Sequence, residues 1–176
     1  MNIRITNKKR FYLFLCLSIL YMTIIFLLSN MPYEEQDIKP YLQEKVNLSD
    51  IGLPSIDFHY DGTQVSSESD PYGFIEFLFR KAGHVFGYCF LTILFSLTIL
   101  QTNIKGIGNY LLSSVLSILY ACSDEWHQSF VAGRTGHWED AIIVDGIGVI
   151  LAWLILLSFR LKKRKRNSLD GMVRRK

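Results

Sequence analysis

The densest chemistry in this chain lies in residues 123–140, SDEWHQSFVAGRTGHWED, with four acids, two histidines and one arginine. Upstream, RKAGHVFGYCF sets Lys81, His84 and Tyr88 on one helical face at i, i+3 and i+7. Ser113, Ser117, Tyr120, Asp124 and Gln128 recur at helical spacing, and Asp145 interrupts a later apolar run. Two chemistries fit these residue types. In the first, Lys81, Arg134 and His84 hold an anionic group such as a phosphate, while Asp124 and Glu125 orient the cations or accept hydrogen bonds. In the second, His84 or Asp124 acts as general base, Glu125 as general acid and Arg134 as an electrostatic clamp. The chain has no Gly-x-Ser-x-Gly elbow, and Ser123 and Ser129 are merely adjacent. A metal set drawn from His84, Asp124, His127 and Asp145 lacks a recognised ligand spacing. Neither a metal nor a cofactor is therefore expected.

The elements that must position these residues are apolar. The chain is 49% hydrophobic yet 20% charged, with a mean hydropathy of +0.20, so its charges must be segregated. Phe11 to Ser29 is 19 residues without a charge. Ala82 to Leu100 is another 19, interrupted by His84, and Ala141 to Phe159 a third, interrupted by Asp145. A helix of about 20 residues crosses a bilayer core, so each run can span. Tyr110 to Ser123 has 14 uncharged residues and spans only by continuing to Gln128. Its polar stripe must then face the bundle interior, because a mid-span aspartate in lipid costs about 2.5–3.5 kcal/mol. The expected fold is an all-α integral membrane protein with four transmembrane helices, about 11–29, 78–100, 109–128 and 140–159. Residues 1–10 and 161–176 are basic flanks of this single 11–160 domain. The first run is too long for a signal-peptide core and reads as a retained anchor.

Basic residues set the expected orientation. Four lie in residues 1–10, nine after Phe159, and Lys105 in the connection between the second and third runs. The segments 30–81 and 124–140 hold five, against an excess of acids. That bias predicts a multi-pass membrane protein with both termini cytoplasmic and two outer segments. The basic tail directly follows a span, so membrane lipid, and not nucleic acid, is its expected partner. Trp126 and Trp138 suit the outer interface, and Trp153 suits packing. Cys16, Cys89 and Cys122 each lie in an apolar run and imply no disulfide framework.

The outer loop, residues 30–77, is expected to carry a short helix after Pro32 that ends at Pro40. A small hairpin should follow, from the alternation of Ile56, Phe58 and Tyr60 and the Asp-Gly after them. Gly83 and Gly87 form a small-xxx-small pair suited to a close helix approach. Gly133 and Gly136 let the chain turn around Arg134. His84, Asp124 and Asp145 are each expected about one turn below the outer surface, sharing one recess. Arg80, Glu139 and Asp140 fit topology stops, Asp140 also a helix cap, and His127 and His137 fit exposed positions.

RKAGHVFGY, followed by DEWHQSFVAGR and an Asp before Gly, resembles the VanZ-like family of bacterial membrane proteins. The matched positions are Lys81, His84, Tyr88, Asp124, Glu125, Gln128, Phe130, Gly133, Arg134, Asp140, Asp145 and Gly148. SNMPYEEQD and FHYDGTQVS extend the likeness to about residues 29–150. In the family pattern the two polar positions of the last helix stand four apart, whereas Asp140 and Asp145 stand five apart. The resemblance implies a link to susceptibility to teicoplanin, a glycopeptide that acts at the outer membrane face. With the residues above, it implies a partner such as an anionic lipid-linked envelope intermediate.

Overall fold

The computed structural model describes residues 3–48, 52–60, 62–134, 136 and 140–173. Four long helices dominate: α1 (Lys8–Ser29), α4 (Pro71–Ile99), α5 (Ile107–Gln128) and α6 (Asp145–Val173). Two short helices, α2 (Tyr33–Gln36) and α3 (Lys39–Lys45), and a hairpin of β1 (Asp57–Tyr60) with β2 (Thr63–Ser66) fill the connection between α1 and α4. A π-helical turn, Asp140–Val144, leads directly into α6. Glu139, Trp138 and His137 lie outside the described residues.

Among the described residues, three helices are long and apolar enough to cross a membrane: Lys8–Ser29, Pro71–Ile99 and Asp140–Asn167. Their outward faces are apolar, with Leu13, Leu20, Phe86, Ile143 and Ile150 largely exposed. A surface of that kind is stable against lipid and not against water. The chain is therefore a membrane protein. Helix α5 buries a continuous polar stripe. Its Asn109, Ser113, Ser117, Asp124 and Gln128 are all buried, while Leu111, Val115 and Leu119 face out. The stripe points into the bundle because a hydroxyl or carboxyl facing lipid finds no partner.

Between the helices, hydrogen bonds replace much of the apolar packing seen in soluble bundles. Thr92 Oγ1 donates to Ser117 Oγ at 2.8 Å, and the Tyr120 hydroxyl donates to the Met22 carbonyl at 2.6 Å. Trp153 Nε1 donates to Ser114 Oγ at 2.9 Å, so this tryptophan is a packing residue. Tyr88, Leu91, Ala121 and Ala141 form the apolar centre.

Helix α6 approaches α4 closely at Gly148. A Cβ added at Gly148 would stand 2.4 Å from the Val85 carbonyl oxygen. Gly83 and Gly87, the pair expected to permit close approach, do not make it. A Cβ at Gly83 meets nothing within 4 Å, and one at Gly87 meets only the Tyr21 hydroxyl at 3.6 Å. These two glycines border a cavity instead of a helix.

The basic segments gather at one end of the bundle. Thr6 N donates to the Gln101 carbonyl at 2.7 Å, Ile5 bridges Thr102, and Arg160 lies 4.6 Å over the Tyr110 ring. At the opposite end sit α2, α3 and the hairpin. Gly62 turns the hairpin with φ +76°, and Phe58 and Tyr60 pack edge-on against Phe77 of α4. Pro40 does not end a helix as expected; it stands in the first turn of α3, where proline forfeits no hydrogen bond.

The α4–α6 contact yields a prediction. Gly148→Ala should destabilise the protein by about 1–3 kcal/mol through overpacking. Gly146→Ala, whose Cβ meets nothing within 4 Å, should be neutral or slightly stabilising. Thermal unfolding of the two variants in detergent measures the contrast, and equal midpoints would refute it.

Candidate functional site

The site is assembled on one face of α4 at the end that carries the hairpin. Lys81 Nζ donates to both carboxylate oxygens of Asp140, at 2.7 and 2.5 Å. The Tyr60 hydroxyl also donates to Asp140, and Lys81 sits 4.1 Å over the Tyr60 ring. One turn along α4, His84 Nδ1 meets Asp145 Oδ1 at 3.1 Å. The Tyr88 ring lies parallel to that imidazole, 6.3 Å away. Asp140 is thus neither a stop nor a simple cap; it anchors the hairpin and α4 to the start of α6.

The five-residue spacing of Asp140 and Asp145 has a local cause. In an ordinary α-helix, residues five apart diverge around the axis, and only one of the two could face α4. The π turn over Asp140–Val144 uses i→i+5 hydrogen bonds and absorbs the extra residue. Both carboxylates consequently face α4, one on Lys81 and the other on His84. Turns of this type concentrate at functional sites.

Helix α5 contributes the next layer. Asp124 and Glu125 are each only 5% exposed, and Gln128 6%. Gln128 Nε2 donates to Asp124 at 3.0 Å, while its Oε1 accepts from Arg134 Nη1 at 3.2 Å. Arg134 Nη2 donates to Gln36, whose own amide donates to the Leu28 carbonyl at 2.6 Å. Gly133, with φ +70°, supplies the turn that returns Arg134 over the bundle. Gly136 acts differently: a Cβ there would fall 2.0 Å from the Glu125 carbonyl oxygen, so its role is close approach.

A cavity of about 260 Å³ lies beside this network. Tyr21, Ile25 and Leu28 of α1 make an apolar wall; Arg80, His84, Asp124, Gln128 and Arg134 make a polar one. Gly83 and Gly87 leave the volume between them. Of the residues singled out by sequence, His84, Tyr88, Asp124, Gln128 and Arg134 line this space. Lys81, Glu125 and Asp145 do not: Lys81 is held by Asp140, and Asp145 lies fully buried behind His84. Arg134 lies close to Arg80, and burial, reinforced by that like charge, pushes its guanidinium pKa down, against the pull of Asp124 and Glu125.

His84, Glu125 and Asp145 converge, with one ligand-capable atom from each inside a 4.8 Å span. His127 stays away from them, its Nε2 3.2 Å from Asn30 Oδ1 and its ring stacked on Phe26. It is neither simply exposed nor part of the cluster. Glu76 belongs to none of the sequence motifs, and Arg80, expected as a topology stop, borders the cleft. Glu76 is 3% exposed, accepts from the Tyr33 hydroxyl at 3.0 Å and faces Lys39 at 3.8 Å. Arg80 lies over the Tyr33 ring at 5.3 Å. Glu76, Arg80 and His84 stand at steps of four, a one-face signal present in the sequence.

Fold and site together define a helical membrane protein with buried ionisable groups beside a cleft of mixed polarity. The VanZ/LLP1 family pattern matches residues 14–160, and the chain belongs to that family. Neither curated proteins nor solved structures match it.

The Lys81–Asp140 pair is largely buried, with side chains 22% and 8% exposed. Lys81→Met should cost about 1–3 kcal/mol by leaving a carboxylate without its cation, and the double variant with Asp140→Asn should recover most of that loss. A double-mutant cycle on unfolding measures the coupling; additive effects would show that the pair contributes nothing.

Proposed function

We propose that the cleft binds the anionic head group of a lipid-linked envelope component at the outer membrane face. The observation that carries this reading is the division of the cavity into an α1 wall of Tyr21, Ile25 and Leu28 and a wall bearing Arg80 and Arg134. An amphiphile needs both surfaces: a phosphate is matched by guanidinium, and an acyl or prenyl segment by aliphatic side chains. Arg80 and Arg134 repel each other, and an anion between them removes that cost. Arg134 Nε is buried with no hydrogen-bond partner among the described residues, leaving a donor for a ligand. Arg80 replaces Lys81 in the anion-binding role, because Lys81 is committed to Asp140.

The reading includes four crossings. Helix α5, at about 33 Å for its 22 residues, is long enough to be the fourth. With Lys105, the amino-terminal lysines and the tail together at one end, the positive-inside bias puts that end in the cytoplasm and the cleft outside. An outer cleft suits the family's association with glycopeptide susceptibility, since those antibiotics act on envelope intermediates at that surface. In nanodiscs, Arg134→Ala should weaken binding of a polyprenyl phosphate about 10- to 100-fold, the worth of a charged hydrogen bond. Gly83→Leu should block the cleft while leaving membrane abundance unchanged, because the added side chain starts in open space. Native mass spectrometry reads both, and undiminished lipid binding in both variants would refute the reading.

One observation favours a second reading, a hydrolase or transferase acting on the same lipid. Asp145 accepts at His84 Nδ1 and so orients an imidazole that borders the cleft, the arrangement of a general base. Turnover of a purified lipid-linked precursor should then fall by about 10²–10⁴-fold in His84→Ala, with binding retained. Absence of turnover in the wild type leaves binding alone as the function.

A further inference from the structure

We propose that His84, Glu125 and Asp145 form a divalent-cation site, which the sequence spacing gave no reason to expect. Three observations converge on it. The first is geometry: one nitrogen and two carboxylate oxygens lie within 4.8 Å of one another, donated by α4, α5 and the start of α6. His84 Nδ1 and Asp145 Oδ1 are 3.1 Å apart, close to the roughly 3.3 Å between two ligands on one tetrahedral zinc. Side-chain movements of about 1 Å bring all three onto an ion with ligand distances of about 2.0–2.2 Å.

The second is charge. Asp124, Glu125 and Asp145 are 5%, 5% and 0% exposed, and the nearest lysine already neutralises Asp140. Arg134 joins Asp124 by hydrogen bonds through Gln128. Added positive charge stabilises carboxylates buried in a low-dielectric interior. A divalent cation provides it without a new side chain. The third is an orphaned acceptor. Asp145 Oδ2 is buried and accepts no hydrogen bond among the described residues, an expensive state for a carboxylate oxygen.

The donor set selects the ion. One imidazole with two carboxylates suits zinc, whereas magnesium and calcium favour all-oxygen shells. Zinc takes the place of the proton between His84 and Asp145, so its binding releases protons. His84 is the member of the set that also lines the cleft, so it links the ion to that space.

The full-length protein in nanodiscs, stripped with chelator and dialysed against buffered Zn²⁺, provides the test, with bound metal counted by plasma mass spectrometry. One zinc per chain is expected. Glu125→Gln and Asp145→Asn should each lower its affinity at least about tenfold, the loss typical when a metal site is perturbed. His127→Ala and Arg134→Ala should retain it. Co²⁺ in place of zinc should give a visible absorption band that Glu125→Gln abolishes. Absence of stoichiometric zinc in the wild type overturns the site, as does zinc retained unchanged in Glu125→Gln. If Asp145→Asn does not accumulate, Glu125→Gln and the wild-type cobalt spectrum decide. Zinc uptake by Arg134→Ala separates this site from the anion reading, since each can fail while the other stands.

Discussion

Asp145 is fully buried at the head of a membrane helix, and the arrangement around it follows from that cost. A carboxylate in a low-dielectric interior is tolerable only when partners reach it directly. His84 does so from α4, and the approach of α6 to α4 that permits this contact depends on Gly148. A larger residue at that position would hold the helices apart and leave both ionisable groups stranded. Close packing and the polar pair are therefore one constraint, met by a small residue three positions beyond the charge.

The same economy shapes the hairpin end. Tyr60, on a strand of only four residues, reaches Asp140 while its ring carries the Lys81 ammonium. That contact fastens an exposed loop element to the bundle through a charge-assisted hydrogen bond and a cation–π interaction. Glu76, Tyr33 and Lys39 tie α2 and α3 to α4 in a similar way. The connection between α1 and α4 is thus docked over the site end, and its Gln36 joins the network of Arg134. Loops held like this can shape a cleft with less ordering on binding than free loops require.

The cleft and the carboxylate cluster lie on the two sides of His84. On one side are Arg80, Arg134, Asp124 and an apolar wall; on the other, Asp145 and Glu125. The imidazole of His84 thus stands between the two arginines of the cleft and the two carboxylates buried behind it.

How much of this was legible in the residues differs from feature to feature. The apolar runs at 11–29, 82–100 and 141–159 are long enough to announce membrane helices, because bilayer thickness imposes a length that composition alone reveals. Helical periodicity placed Ser113, Ser117, Asp124 and Gln128 on one face, and burial in the bundle is the consequence. Periodicity within a helix says nothing about which partner stands opposite. Lys81 and Arg80 are neighbours in sequence, yet one is sealed by Asp140 and the other borders the cleft. Glu125 rather than His127 joins His84, since two residues along a helix turn a side chain to the opposite face. The π turn that aligns Asp140 with Asp145 shows in the sequence only as their five-residue spacing, and its cause lies in Lys81 and His84, which each hold one of the two carboxylates. Sequence by itself determined the solvent each segment must face, because that depends on side-chain type and spacing along one element. Only the tertiary structure decided which charges meet, because that depends on distances between elements that no single element encodes.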